Sequence, residues 1–357
     1  MKFSVSSQRS TSHPLLLCIL AVFALFATAD AATLPALKTL KTTSGYKYGY
    51  VYKKAVGTKP TYLLLHGFPS SVFDWKYQIA ELTAAGYGVL APDLLGYGGT
   101  DKPAAIEEYV YSKMAKQVKE ILDKEGLTQV IGVGHDWGSM FLGRFANFYP
   151  TLFPSLVFIS VPYLPSQFSV EDINTQTEAA FGYPTFGYML TMNESRAAGI
   201  FEKHPESFLS IMYPQNSSIW ITDFCPLGKL RAWVESDKRV ALPSYESTAD
   251  RAYRVALYKA GGFTGPTNWY KSYLRDLDAV ANAAIPAGNL ILKQPVLFIG
   301  GSVDYITRPE VMQQIAGQGQ AEGWAPTVEV NILEGGSHWV VLEKHKEVTD
   351  LLISRAT

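Results

Sequence analysis

Apolar residues occur along the chain in short unbroken runs that alternate with longer stretches of helical period. The runs are rich in β-branched and aromatic residues, as expected for strands that are buried on both faces. They occupy residues 61–65, 88–91, 130–133, 156–160, 296–299 and 327–330. Because buried strands that alternate with helices form parallel sheets, the pattern predicts an α/β fold with a mainly parallel central sheet flanked by helices. An antiparallel hairpin around residues 46–52 is expected before this sheet.

The strand pattern stops in residues 165–286. Aromatic, proline and glycine residues there interrupt sequence of broadly helical character. The interruption predicts a helical cap inserted into the sheet domain, whose two parts are then residues 32–164 and 287–357. Many of the tyrosines lie in this cap, where apolar rings that carry hydroxyls can line a pocket. Since the segment has no low-complexity linker, we expect the cap to pack firmly on the core.

The N-terminus has the composition of a leader. Lys2 and Arg9 precede an apolar run over residues 14–26, and small-residue sequences of cleavage type follow that run. This predicts a signal peptide of residues 1–31, cleaved after residue 29 or 31, and a protein that is secreted or in the secretory pathway. The run is shorter than the about 20 residues that cross a bilayer. A retained membrane anchor is therefore the minor alternative, and no stable membrane association is expected after cleavage.

Cysteines and sequons bear on the same compartment. Cys18 lies in the predicted leader, so Cys225 is the one cysteine left in the mature chain and is expected to be a packed thiol. No internal disulfide is then possible. Asn193 and Asn216 each begin an Asn-X-Ser sequon and are the predicted sites of N-linked glycans.

Charge and motif content narrow the range of ligands. The formal net charge of −1 offers no positive field that would attract nucleic acid. The sequence contains neither a phosphate-binding glycine loop nor a metal-ligand cluster, so no cofactor and no metal ion are expected. Nothing in the pattern indicates an oligomeric state.

The third predicted strand runs into Gly134-His135-Asp136-Trp137-Gly138 and then into a helix-like segment. Strand, sharp turn and helix form a nucleophile elbow, and Asp136 occupies the position of the nucleophile. A carboxylate there can displace at an alkyl carbon and form an ester that water later hydrolyses. The chain has no Gly-x-Ser-x-Gly, which excludes serine esterase chemistry at such an elbow. The alternative is that Asp136 only caps the following helix.

A general base is predicted near the C-terminus. Asp304 follows the fifth predicted strand and His338 follows the sixth. The order nucleophile, acid, histidine indicates that His338 activates water and that Asp304 fixes its tautomer. Glu171 or Asp172, after an earlier strand, is the alternative partner for the histidine.

An oxyanion site is predicted beside the elbow. His66-Gly67-Phe68-Pro69 follows the first parallel strand, where one donor of such a site is usually placed. The backbone N–H groups of Phe68 and Trp137 are the expected donors to the carboxylate oxygen that does not attack. Of the other histidines, His345 is expected at the surface and His135 as a packed, hydrogen-bonded imidazole.

The elbow and the His66–Pro69 segment resemble the epoxide hydrolase branch of the α/β-hydrolases. The glycine-rich loop of residues 93–103 fits the same resemblance, which covers nearly all of the chain after residue 45. Residues 264–270 look like the cap segment of that family that carries one of two tyrosines donating to the epoxide oxygen, which implies Tyr270. Phe186-Gly187-Tyr188 is similar to the segment of the partner tyrosine, and Tyr183 is the alternative because the pattern repeats there.

The resemblance implies hydrolysis of a small hydrophobic epoxide by water through an ester on the aspartate. Chemistry explains the tyrosine pair, because ring opening leaves an alkoxide to which an acid must donate. The residues expected to line the substrate pocket are Phe68, Trp75, Trp137, Tyr183, Trp269 and Trp339. Haloalkane dehalogenases share the aspartate elbow and are the runner-up. A secreted binding protein that kept the scaffold without its chemistry is the alternative of a different class.

Overall fold

In residues 34–356, the part of the chain that this computed structural model describes, eight strands form one sheet in the order β1-β2-β4-β3-β5-β6-β7-β8. The strands are β1 Lys38–Lys41, β2 Lys47–Lys53, β3 Thr61–Leu65, β4 Gly88–Pro92, β5 Ile131–His135, β6 Leu156–Ile159, β7 Val296–Gly301 and β8 Val328–Leu333. β1, β2 and β4 pair antiparallel, and every pair from β4 to β8 is parallel. The predicted mainly parallel sheet is thus confirmed, while the predicted signal peptide lies outside the described residues.

Helices follow most strands, and the longest uninterrupted series of them lies between β6 and β7. The helices are α1 Lys76–Ala84, α2 Tyr111–Lys124, α3 Trp137–Phe148, α4 Val170–Phe181, α5 Gly187–Asn193, α6 Ala197–Lys203, α7 Pro205–Met212, α8 Trp220–Asp223, α9 Lys229–Glu235, α10 Thr248–Gly261, α11 Thr264–Leu274, α12 Ala279–Ala283, α13 Pro309–Glu322, α14 Val340–Glu343 and α15 His345–Ser354. Helices α4 to α12 form the cap. Residues from Leu34 onward pack as one compact unit, so cap and core are not separate bodies.

The sequence pattern accounts for these elements. β3, β4, β5, β6 and β7 are buried along their whole length, which explains why their apolar runs are continuous rather than alternating. Helix α2 shows the other pattern, because Met114, Val118 and Ile121 are buried on one side while Lys113 and Lys116 are exposed on the other. Within residues 34–356 no helix combines the length and the hydropathy that crossing a membrane requires.

A buried ionic cluster joins the cap to the core. Lys76, the first residue of α1, places its Nζ 2.7 Å from Oδ1 of Asp250 in α10. One turn further along α10, Arg254 pairs with Asp74 of the core and with Glu246 of the cap. These side chains are at most 8% exposed. Because charges at such depth are costly unless they are paired, the cluster ties α10 to one position on the core.

Candidate active site

The turn between β5 and α3 places Asp136 in a backbone conformation that few residues adopt. Its φ of 54° and ψ of −124° put the side chain at the apex of the turn, at the carboxyl edge of the sheet. Neighbouring atoms are so close to this turn that only glycine fits at positions 67 and 138. A Cβ on Gly138 would lie 2.1 Å from the carbonyl oxygen of Leu65, and one on Gly67 would lie 2.3 Å from Oδ1 of Asp136. The structure therefore shows the strained elbow that the sequence predicts.

One oxygen of the Asp136 carboxylate is held by the main chain. The N–H of Phe68 donates to Oδ1 of Asp136 across 2.7 Å. Trp137, the second predicted donor, contributes the first N–H of α3, and such an N–H has no acceptor within its own helix. The arrangement distinguishes the two carboxylate oxygens, since Oδ1 is bound by the backbone and Oδ2 points towards His338.

His338 lies between two carboxylates. Its Nδ1 is 2.8 Å from Oδ2 of Asp304, and its Nε2 is 3.5 Å from Oδ2 of Asp136. Because a carboxylate only accepts, Nδ1 carries a proton and donates a hydrogen bond to Asp304, which aims Nε2 at Asp136. Burial alone lowers the pKa of His338, but the charges of Asp304 and Asp136 outweigh burial and raise that pKa above its usual value.

Asp304 is fixed as the partner of His338. Its Oδ1 accepts from the N–H groups of Ile306, at 2.9 Å, and Thr307, at 3.0 Å, and its Oδ2 accepts from the Thr307 hydroxyl at 2.6 Å. Burial raises the pKa of Asp304, but His338 and these hydrogen bonds outweigh it and hold that pKa below the usual value. The alternatives Glu171 and Asp172 are exposed in the first turn of α4. Thr307 was not predicted, although an aspartate followed three residues later by threonine is a local signal of such a turn.

The main-chain carbonyl of His338 accepts two hydrogen bonds from residues at the ends of β5 and β6. His135 Nε2 and Ser160 Oγ each lie 2.9 Å from that carbonyl oxygen. Burial and the charge of His338 lower the pKa of His135 to about 4, so this imidazole is neutral at neutral pH. His135 is thus the packed, hydrogen-bonded histidine that the sequence suggests. Ser160 was not predicted, and its only signal is its place directly after a strand of the parallel sheet.

Two cap tyrosines meet near the elbow. The ring of Tyr188, in the first turn of α5, lies 6.1 Å from the ring of Tyr270 in α11. Burial and the negative charge of Asp136 raise the pKa of both phenols, so both are protonated at neutral pH. The alternative, Tyr183, donates its hydroxyl to the carbonyl of Tyr305 at 2.9 Å. The structure therefore brings Tyr188, and not Tyr183, to Tyr270.

Two aromatic residues of the predicted pocket pack against the tyrosine pair. The ring of Phe68 lies 5.0 Å from that of Tyr270, and the ring of Trp137 lies 4.7 Å from it, both in edge contact. Both side chains are almost fully buried. Phe68 and Trp137 thus place an apolar ring and a backbone N–H at the same site.

The other tryptophans predicted for the pocket are not brought to the tyrosine pair in this way. Trp269 donates its Nε1–H to the carbonyl of Leu95, and Trp339 donates to the carbonyl of Met212, so both rings are fixed in the interior. Trp75 packs edge-on against the histidine of the elbow, on the core side. Their sequence neighbourhood correctly suggests burial, but burial of a large ring does not decide which surface it faces.

The sequence assigns no part in the chemistry to His345 and Cys225. His345 is partly exposed, stacks on Tyr77 and lies 2.8 Å from a carboxylate oxygen of Glu81. Cys225 is buried, its Sγ lies 3.7 Å from the carbonyl of Tyr305, and burial raises the pKa of its thiol. Among residues 34–356 no group of three or more His, Cys, Asp or Glu side chains is arranged to hold a metal ion.

Comparison with known proteins agrees with this geometry. Residues 60–189 match the family model of the α/β-hydrolase fold. Epoxide hydrolase 3 of Siraitia grosvenorii is 30% identical over 315 residues, a match that covers 86% of this chain and 93% of the relative. Bifunctional epoxide hydrolase 2 of Sus scrofa is 29% identical over 331 residues, which cover 87% of this chain and 55% of the relative. The chain spans about half the length of this relative and of its counterparts in rat and mouse.

The solved structures give the same result. Epoxide hydrolase A from Mycobacterium thermoresistibile superimposes with a TM-score of 0.73 at 27% identity, covering 90% of this chain and 98% of that protein. The epoxide hydrolase VrEH1 from Vigna radiata superimposes with a TM-score of 0.72 at 25% identity. Likeness of this extent, together with the 30% identity to epoxide hydrolase 3 of Siraitia grosvenorii over nearly its whole length, shows that the chain belongs to the epoxide hydrolase family of the α/β-hydrolase fold.

Proposed function

We propose that the protein hydrolyses a small hydrophobic epoxide to a vicinal diol through an ester on Asp136. The observation that carries this proposal is the pairing of a carboxylate nucleophile with two buried, protonated phenols. An aspartate at the elbow attacks carbon, and an alkoxide that forms as the ring opens needs a proton donor. Tyr188 and Tyr270 are such donors, and they lie beside the elbow.

In the first half-reaction, Oδ2 of Asp136 attacks one epoxide carbon. Oδ2 is the attacking atom because Oδ1 is bound by the N–H of Phe68. The carbon–oxygen bond of the ring breaks, and the departing oxygen takes a proton from Tyr188 or Tyr270. The product is a hydroxyalkyl ester of Asp136, whose carbonyl oxygen is Oδ1.

In the second half-reaction, His338 removes a proton from water at Nε2, and the water oxygen attacks the ester carbonyl carbon. Negative charge then develops on Oδ1, where the N–H of Phe68 already donates, and the Trp137 N–H is the second proposed donor. The bond between the carbonyl carbon and Oδ2 breaks, Oδ2 takes the remaining proton of that water and leaves as a hydroxyl of the diol, and the water oxygen stays in the Asp136 carboxylate. Asp304 keeps the imidazole in the tautomer that presents Nε2 and stabilises the imidazolium that forms.

Changes in the protonation state of His338 account for the protons that move in the two half-reactions. In the free enzyme the two carboxylates favour the imidazolium form. Ester formation removes the charge of Asp136 and with it part of the stabilisation of the imidazolium. His338 therefore gives a proton more readily to the tyrosinate that ring opening leaves. The neutral imidazole is then ready to take a proton from water, and hydrolysis restores both Asp136 as a carboxylate and His338 as an imidazolium.

Diol formation from an aryl epoxide, measured for the wild type, Asp136→Ala and His338→Gln, tests the proposal. We expect diol from the wild type alone. Intact-protein mass spectrometry of His338→Gln should show the mass of enzyme plus substrate, because this variant forms the ester and hydrolyses it slowly. Diol from Asp136→Ala at the wild-type rate would overturn the proposal. Halide release from haloalkanes without diol formation would favour a dehalogenase, and tight binding without turnover would favour a binding protein.

We also propose that the protein is secreted and glycosylated, on the strength of the leader-like N-terminus and the two sequons. Asn216 is exposed, whereas Asn193 is half-buried and accepts a hydrogen bond from Arg275 at 3.1 Å. Asn216 is therefore the better acceptor of the two. The N-terminal sequence and the glycosidase-sensitive mass of protein collected from the culture medium of a eukaryotic host test both points.

A further inference from the structure

A cavity lies alongside α3, beyond the elbow. About 40 Å³ of it is open to the centre of a water molecule, and Asp136 and His338 are not among the residues that line it. Its lining includes Met140 and Arg144 from α3 and Tyr273 from α11. The ring of Tyr273 packs 5.6 Å from that of Trp137. The cavity thus adjoins the catalytic site through this pair of aromatic rings.

Three buried polar atoms line this cavity without a hydrogen-bond partner in the described chain. They are the hydroxyl oxygens of Tyr111 and Ser272 and the side-chain oxygen of Asn282. Tyr111 and Ser272 are 6% and 2% exposed. Buried polar groups in proteins nearly always have partners, because losing water without replacing it is costly. Three such atoms at one cavity therefore indicate that a polar group from outside the chain binds there.

The cavity is lined by one positively charged side chain, Arg144, and one negatively charged side chain, Asp278. Arg144 donates to Asn147 at 2.9 Å but forms no ion pair with a carboxylate in residues 34–356. Asp278 accepts from the N–H groups of Tyr111, at 2.8 Å, and Ser112, at 3.4 Å, and also lacks an ion-pair partner in that range. Both side chains belong to residues that are 8% exposed. One cation and one carboxylate, together with free hydroxyls, suit a neutral group that both donates and accepts; a carboxylate would meet repulsion from Asp278.

We propose that this cavity binds the hydroxyl end of an elongated neutral ligand and that this ligand, given the proposed function, is an epoxide substrate with a hydroxyl far from the ring. Arg144 lies eight residues beyond Asp136, which corresponds to about 12 Å along a helix. A substrate lying beside α3 with its epoxide at Asp136 therefore reaches Tyr111, Ser272 and Arg144 with its far end. The cavity selects among epoxides by that end, while Asp136 and His338 perform the chemistry.

The test compares two straight-chain terminal epoxides of equal length, one ending in methyl and one in hydroxyl, each long enough to span that distance. We expect the wild type to prefer the hydroxyl-ended epoxide by about five- to tenfold in kcat/KM, the contribution of a single hydrogen bond. Tyr111→Phe and Ser272→Ala should each lower this ratio towards one. Both variants remove hydroxyls without a partner in the described chain, so they should fold normally.

Tyr245→Phe is the matched control. Its hydroxyl is also buried without a partner in the described residues, but it lines a different cleft. The ratio in this variant should equal that of the wild type. A wild-type ratio of one, a ratio that Tyr111→Phe leaves unchanged, or a preference for a carboxylate-ended epoxide over the hydroxyl-ended one would overturn the inference.

Failure of the proposed function gives a different result, since neither epoxide would then be hydrolysed. In that case calorimetric titration with a straight-chain aliphatic alcohol of the same length still tests the cavity. Binding that weakens in Tyr111→Phe but not in Tyr245→Phe supports the hydroxyl site. No binding, or equal binding by all three proteins, overturns it.

Discussion

The imidazole of His135 lies 2.9 Å, measured from Nε2, from the main-chain carbonyl oxygen of His338. The nucleophile elbow and the loop of the general base are thus joined by a hydrogen bond between residues 203 positions apart in the chain. Because a carbonyl only accepts, Nε2 of His135 must carry a proton and donate. Nδ1 then has no proton while the imidazole is neutral, which is the form that its lowered pKa favours.

His135 should make the protein sensitive to acid. Its pKa is about 4 in the folded protein against 6.5 ordinarily, so the unfolded chain binds more protons between these values and the free energy of unfolding falls as pH drops through that interval. The loss amounts to about 3 kcal/mol. In His135→Gln, whose amide can donate to the same carbonyl, the decline should be shallower. Urea denaturation at a series of pH values checks this, and parallel curves for the two proteins would contradict it.

Asp136 should raise the pKa of His338. Burial lowers this pKa, and the charges of Asp304 and Asp136 raise it by more. Asp136→Asn removes one of those charges and is expected to lower the His338 pKa by about one pH unit or more. NMR titration of isotope-labelled histidine measures the change. An unchanged His338 pKa would show that Asp136 does not set its charge.

The same coupling predicts a pH dependence for ester hydrolysis. The ester of Asp136 is uncharged, so His338 in the alkyl-enzyme should have a lower pKa than in the free enzyme. The rate of ester decay in a single turnover should therefore rise with pH and level off above this lower pKa, because only neutral His338 takes a proton from water. Rapid quenching followed by mass spectrometry gives the decay rate at each pH. A rate that falls as pH rises would contradict the assignment of His338 as base.

The two tyrosines should act in ring opening and Tyr183 should not. Loss of one phenol is expected to lower kcat/KM by on the order of ten- to a hundredfold, since the pair shares a general-acid contribution. Tyr188→Phe and Tyr270→Phe should both slow ester formation in stopped-flow measurements. Tyr183→Phe loses a hydrogen bond to Tyr305 and should affect stability rather than the rate of ester formation. Equal rates for Tyr183→Phe and Tyr188→Phe would contradict this assignment.

The local sequence was sufficient to predict those parts of the site that are formed by a single turn of the chain. The elbow at Asp136 depends on a strand, two glycines and a helix that are adjacent in the chain, and the loops that carry Asp304 and His338 each follow a predicted strand. Parallel strands bring their carboxyl ends to one edge of a sheet, so the order of strands and loops along the chain was enough to place these three loops together.

Local sequence was not sufficient where long-range packing decides. Phe-Gly-Tyr occurs at both Tyr183 and Tyr188, and no property of either segment says which hydroxyl meets Tyr270. The structure separates them because Tyr188 lies in the first turn of α5, beside α11, while Tyr183 precedes that helix and reaches Tyr305. The tryptophans show the same limit, since large apolar rings are buried on any face of a core. Roles that depend on the orientation of a side chain could therefore be assigned only from the three-dimensional structure.

The ionic contact between Lys76 and Asp250 is a further feature that no local pattern reveals, because its partners lie 174 residues apart. Both side chains are buried, so Lys76→Met leaves an unpaired carboxylate between cap and core, and we expect a loss of about 3 to 5 kcal/mol in the free energy of unfolding. Urea denaturation measures it. Lys346→Met, which removes an exposed pair with Asp350, should cause no measurable loss.

The double variant Lys76→Met with Asp250→Leu separates two explanations for that loss. If the cost comes from the stranded charge of Asp250, removing that charge as well should recover part of the stability, less the cap that Asp250 provides to the first turn of α10 through Ser247. If the double variant is no more stable than Lys76→Met alone, the pair itself stabilises the contact between cap and core. Recovery would indicate that the pair fixes where α10 docks more than it contributes to stability, since apolar side chains would fill the same space without the cost of burying charge.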